Sequence, residues 1–139
     1  MKPKEIKYGI QDASYLTAGK LEGIRALVDS FYNYMDTRPF AKDIRNMHPE
    51  DLELSKDKLT LFLCGWLGGP KKYKEKYGSI HIPQAHKMLD IGIPERDAWL
   101  SCMKLAISDQ DYPESFKTYL LEQLFVPAER IRVVCESNH

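Results

Sequence analysis

The chain lacks a surplus of either charge: Lys plus Arg and Asp plus Glu each number 20. A balance of that kind leaves no electrostatic footprint for a phosphate backbone and argues against nucleic acid as a partner. Cysteine is scarce, and Cys64, Cys102 and Cys135 form no Cys-x-x-Cys pair. Neither a disulfide framework nor a zinc ribbon fits such spacing, and a reducing cytoplasm is the expected home. No stretch approaches the ~20 apolar residues of a membrane span, and the charged start Met1-Lys2-Pro3-Lys4-Glu5-Ile6-Lys7 precedes no apolar run of signal-peptide length, so a soluble protein with no membrane partner is expected. Alternating polar and apolar residues bounded by hairpin turns are also missing, as are internal repeats and low-complexity tracts.

What remains is helical periodicity. From Lys20 onward Leu21, Ile24, Leu27, Val28, Phe31, Tyr32 and Met35 recur at steps of three and four, which turns Tyr32 inward with Val28 and Met35. Pro39 interrupts the pattern, and a corner through His48-Pro49 follows. Leu52, Ser55, Leu59, Phe62, Leu63 and Trp66 trace a second inward stripe, stopped by Gly68-Gly69-Pro70. Residues 71–80 read as a solvated, Lys- and Tyr-rich loop leading to a short helix near Pro83 to Leu89. Pro94 suits the first turn of a helix carrying Ala98, Trp99, Cys102, Met103 and Ala106. Asp111 is placed to cap a last helix with Phe116, Tyr119, Leu120, Gln123 and Leu124 along it. The fold class is all-α, in one domain spanning 1–139, with residues 1–14 as an N-terminal extension and 126–139 as a C-terminal tail. Cys64 and Cys102 point inward, and Cys135 falls in the tail, where exposure is expected.

Several short blocks occur in a fixed order: Phe31-Tyr32, His48-Pro49-Glu50-Asp51, Phe62-Leu63, Gly68-Gly69-Pro70, His86, and Glu95-Arg96-Asp97-Ala98-Trp99-Leu100. In that order and spacing, over roughly residues 20 to 125, they resemble the group II truncated haemoglobins, or 2/2 haemoglobins. The resemblance implies a truncated globin fold, a two-over-two helical sandwich around haem b (iron protoporphyrin IX). It implies dioxygen, nitric oxide, carbon monoxide or peroxide as small ligands and a reductase as a further partner, with the protein a monomer or weak dimer.

Haem iron needs an axial imidazole, and His86 is the expected proximal ligand. Trp99 offers an apolar wall and one donor, and Tyr32 offers a hydroxyl from the first long helix; both are expected to stabilise the ligand on the distal face. His48 departs from the commoner Phe or Tyr at its corner. Two roles stay open there: His48 tunes the ligand through Tyr32, or His48 or Tyr32 becomes a sixth iron ligand at rest. Ser55 and Leu59 fall at distal positions, and Phe62, Leu63 and Met88 are expected to line the macrocycle. Lys72, Tyr77 and His81 are candidates for the haem carboxylates.

The expected function is reversible binding of dioxygen and related diatomic ligands, with oxygen transport as one use. A haem redox enzyme, with nitric oxide dioxygenase or peroxidase-like activity that detoxifies nitric oxide, peroxide or peroxynitrite, is the alternative of another class. A haem-free helical interaction module, with His86 and Trp99 structural, is the third.

Overall fold

The computed structural model describes residues 8–78 and 91–137, and every regular element within them is helical. In chain order these are α1 (Ala13–Thr17), α2 (Lys20–Thr37), a 3-10 turn (Pro39–Ala41), α3 (Lys42–Asn46), α4 (Glu53–Trp66), α5 (Lys72–Tyr77), α6 (Ile93–Ser108) and α7 (Glu114–Ser137). Helix α2 packs on both α4 and α6, and α6 also packs on α7, so the α2–α4 and α6–α7 pairs form the two layers of a two-over-two sandwich.

Each boundary has a local cause. Helix α2 buries Ile24, Leu27, Val28, Phe31, Tyr32 and Met35, one stripe at helical spacing. It stops at Thr37 because Arg38 takes an extended conformation ahead of Pro39, whose ring disfavours helical geometry in the preceding residue. Helix α4 closes in a Schellman motif: Gly68 at φ +95° lets its own N–H reach the Gly65 carbonyl and the Gly69 N–H reach the Cys64 carbonyl. At the start of α6, Pro94 lies in the first turn and the Glu95 carboxylate accepts from the Gly92 N–H at 2.8 Å.

The glycine pair after α4 does more than end a helix. The N-terminal segment crosses directly over it: the Tyr15 N–H donates to the Leu67 carbonyl at 3.0 Å. A Cβ on Gly68 would lie 2.0 Å from the Gln11 carbonyl oxygen, and one on Gly69 would lie 2.4 Å from the Tyr15 ring. Tyr8 in turn packs against Phe116 and Tyr119 of α7 and hydrogen-bonds the Ser115 hydroxyl at 2.8 Å. The stretch expected as a loose extension therefore packs on the body of the protein from Tyr8 onward, and α1 begins at Ala13 within it.

Three further expectations are corrected. The supposed loop after Pro70 holds helix α5, which has no buried residue and is pinned from outside: Asp57 of α4 accepts from Lys76 at 2.7 Å and from the Tyr77 hydroxyl at 2.5 Å. The supposed tail from residue 126 is the second half of α7, which runs through Pro127 to Ser137. A proline inside a helix costs one backbone hydrogen bond. Here Ala128 and Cys135 continue the buried stripe, and Arg132 pairs with Glu129 and Glu136 along the surface. Finally, the cap position of α7 belongs to Pro113, whose carbonyl accepts from the Phe116 and Lys117 amides, while Asp111 makes no side-chain hydrogen bond among the described residues. Cys135 is buried, as are Cys64 and Cys102.

Candidate functional site

Tyr32, His48 and Trp99 lie far apart in the chain, yet ring contacts join them through Phe31. The His48 imidazole meets the Tyr32 phenol edge-on with centres 5.6 Å apart, Tyr32 meets Phe31 at 5.0 Å, and Phe31 meets Trp99 at 5.1 Å. Three elements supply the four rings: α2 gives the adjacent Phe31 and Tyr32, the corner after α3 gives His48, and α6 gives Trp99. Phe31, fully buried, is the residue that sequence reasoning missed as a site element. Its signal was its place beside Tyr32 in the same block.

The polar groups of this cluster are arranged unequally. His48 Nδ1 and the Ile44 carbonyl are 2.8 Å apart, so the neutral ring donates from Nδ1 and turns Nε2 into the acceptor nitrogen. The Tyr32 hydroxyl and the Trp99 indole N–H have no hydrogen-bond partner among the described residues. Neither is sealed in the core, because the one fully enclosed side-chain atom lacking a partner among those residues is the Tyr112 hydroxyl. Burial pushes the Tyr32 phenol far above its ordinary range, so it stays protonated and a donor at neutral pH.

On α4 the expected inward stripe divides. Ser55, Leu59, Phe62 and Trp66 share one face and are only half-buried, whereas Leu63 has no exposed surface and belongs to the core with Thr60, Leu61 and Cys64. Leu63 is thus a core residue with no open side. Phe62 and Trp66 stack with centres 6.1 Å apart, and a cleft of about 370 Å³ runs beside them, lined also by Leu61, Tyr73, Lys71 and Lys74. Flat apolar walls with ammonium groups beside them suit a planar apolar ligand that carries carboxylates. Lys72 is exposed at the start of α5, while the Tyr77 hydroxyl is held by Asp57, which this hydrogen bond and that of Lys76 keep below the usual carboxylate range. His81, His86 and Met88 lie outside the described residues. No group of three or more His, Cys, Asp or Glu side chains that could hold a metal ion occurs among the described residues, and no helix among them is long and apolar enough to cross a membrane.

Comparison with known proteins agrees with this fold. The family of bacterial-like globins matches residues 14–132. The group 2 truncated hemoglobin YjbI of Bacillus subtilis is 32% identical over 120 residues, covering 86% of this chain and 88% of that protein. Among solved structures, the group II 2-on-2 hemoglobin from Agrobacterium tumefaciens superposes with a TM-score of 0.82 at 31% identity, covering 95% of this chain and 98% of the other. The cold-adapted truncated hemoglobin from Pseudoalteromonas haloplanktis TAC125 gives a TM-score of 0.81 at 28% identity, covering 85% and 95%. This chain belongs to the bacterial-like globins and, within them, to the group II truncated haemoglobins.

Proposed function

We propose that the protein binds dioxygen reversibly, with His86 holding the cofactor and Tyr32, His48 and Trp99 forming the opposite, ligand-facing wall. Haem b, when bound, would supply an iron able to bind dioxygen, nitric oxide or carbon monoxide. The observation that carries the reading is a pair of donors without a hydrogen-bond partner among the described residues, the Tyr32 hydroxyl and the Trp99 indole N–H, on packed helices and joined through the Phe31 ring. Donors largely removed from water ordinarily find acceptors. These two, neither sealed in the core, are suited to an acceptor that arrives with the ligand.

In this reading Tyr32 and Trp99 donate to the ligand, and the His48 ring, held through Nδ1, packs edge-on against the Tyr32 phenol and fixes its placement. Ser55, Leu59 and Phe62 offer the apolar face of α4, and Lys72, rather than the Asp57-bound Tyr77, supplies the charge for a haem carboxylate. His81 is proposed as a further partner for a haem carboxylate and Met88 as part of the lining of the macrocycle.

Haem titration of the purified protein tests the reading. The expected result is one haem per chain, lost in His86→Ala, with oxygen dissociation accelerated in Tyr32→Phe. Unaltered haem retention in His86→Ala would refute the assignment of the proximal residue. Turnover of nitric oxide or peroxide in the presence of a reductant, measured on the same sample, separates carriage from catalysis: negligible turnover is expected.

A further inference from the structure

The corner that carries His48 has no regular structure of its own, and its backbone is held by one side chain. Arg45 donates from Nη1 to the Pro49 carbonyl and from Nη2 to the Glu50 carbonyl, each at 2.9 Å. These carbonyls belong to the two residues that follow His48. The same guanidinium donates from Nε to the Asp36 carboxylate at 2.9 Å, in the last turn of α2, one turn beyond Tyr32. The Arg45 side chain is 19% exposed, while its acceptors lie on exposed residues at the surface.

A guanidinium carries its donors in a rigid planar fork, so three simultaneous acceptors fix the relative placement of the groups that bear them. Here the acceptors lie on the two segments that present Tyr32 and His48. The imidazole itself bonds from Nδ1 to the Ile44 carbonyl, one residue before Arg45, and meets the Tyr32 ring.

We infer that Arg45 is a positioning residue for the ligand-facing wall: by clamping the Pro49 and Glu50 carbonyls to the end of α2, it sets the pose of His48 against Tyr32. The inference rests on the proposed role of those two residues. Lysine in its place keeps the charge but concentrates it on one nitrogen at the end of a flexible stem, and leaves two of the three acceptors to water. The corner then loosens and the His48 ring samples more than one pose.

The test uses haem-loaded protein with Arg45→Lys, Arg45→Gln and His48→Phe. Two readouts are taken: nitrogen NMR of the His48 imidazole, and the C–O stretching band of carbon monoxide added to the reduced protein as a probe. In the wild type the His48 proton is expected on Nδ1 in a single resonance pattern. In Arg45→Lys and Arg45→Gln that pattern is expected to shift and split and the C–O band to broaden, with helical circular dichroism unchanged. A mere stability loss would move neither readout in the folded protein. Unaltered His48 resonances in a folded Arg45 variant would overturn the inference, and Arg45→Gln supplies that variant where Arg45→Lys fails to fold. Should the His48 pattern move while the C–O band stays fixed in both the Arg45 variants and His48→Phe, the clamp on His48 stands and the ligand-facing role of His48 falls.

Discussion

The His48 imidazole stands edge-on to the Tyr32 phenol, ring centres 5.6 Å apart and planes at 79°. Nothing in the local sequence of either residue requires this. It follows from an α2 stripe that turns Tyr32 inward and from a corner that folds back across the end of that helix. Burial keeps the phenol protonated, and the contact restrains it on one side.

Tyr32→Phe keeps the ring contacts with Phe31 and His48 and removes only the hydroxyl. A hydrogen bond to a charged or strongly polarised acceptor contributes about 1.5–3 kcal/mol, so oxygen dissociation is expected to accelerate roughly 10- to 100-fold. Stopped-flow displacement of oxygen by carbon monoxide measures this rate, and a rate equal to the wild type would remove Tyr32 from the donor set.

Trp99→Phe preserves an aromatic edge against Phe31 but deletes the indole donor. A hydrogen bond to the same polarised acceptor contributes about 1.5–3 kcal/mol, which corresponds to roughly a 10- to 100-fold faster dissociation. Both donors are expected to address one ligand, so the double variant with Tyr32→Phe should depart from additivity. Strictly additive effects on the dissociation free energy would argue that the two groups act at separate places.

Much of this arrangement is legible in the sequence, and the illegible parts share a physical reason. The α2 stripe could be read because Ile24, Leu27, Val28, Phe31, Tyr32 and Met35 all lie at one helical period. Periodicity on α4 identified an apolar face, but not that Ser55, Leu59, Phe62 and Trp66 stay half-open while Thr60 and Cys64 are enclosed by α2. Helix α5 has no apolar period because its anchorage comes from Asp57, twenty residues before Tyr77. Residues 126–139 read as a tail, whereas α7 runs through Pro127, whose missing donor is a local cost, and on to the buried Cys135, a tertiary gain. The acceptors of Arg45 include two backbone carbonyls, which every residue possesses, so no residue type announces the clamp.

The glycines after α4 and α5 allow a steric argument to be separated from a backbone one. Gly68 and Gly78 both adopt positive φ, +95° and +86°, but a Cβ at Gly68 would meet the Gln11 carbonyl at 2.0 Å and one at Gly78 meets nothing within 4 Å. Gly78 pairs its positive φ with ψ −158°, a region open essentially to glycine alone, so Gly78→Ala is expected to cost only backbone strain, about 1–3 kcal/mol. Gly68→Ala adds displacement of the N-terminal segment and should cost roughly 1–3 kcal/mol more. Thermal melts followed by circular dichroism rank the two, and equal melting temperatures would show that the Gln11 contact yields freely.

Asp57 ties α5 to α4 and has Arg25 of α2 at 3.9 Å. Its hydrogen bonds from Lys76 and Tyr77 hold the carboxyl below its ordinary pKa, so the folded state favours the ionised form. The stabilisation is fully present above the unfolded carboxylate pKa of about 4 and is lost as pH falls through the lower folded value. Near neutrality Asp57→Asn should lower stability by about 0.5–1 kcal/mol, as expected for a solvent-screened pair. The gap between wild type and variant should close on acidification, and urea denaturation at neutral pH and at low pH checks its size and its sign. A gap that widened at low pH would contradict the assignment.

The three thiols offer a final check on how far α7 extends. Cys64, Cys102 and Cys135 are all buried, and burial raises the Cys64 pKa and pushes that of Cys102 up to about 11. A thiol reacts as its thiolate, so at mildly alkaline pH Cys102 is shielded twice, by access and by protonation. Cys135 is shielded by the helix that encloses it and does not behave as a tail residue. Titration with a disulfide reagent is expected to modify no cysteine rapidly in the native protein and all three after denaturation. Rapid labelling of Cys135 alone would mean that the helix beyond Pro127 opens in solution, and the packing assigned to its last turns would then fall.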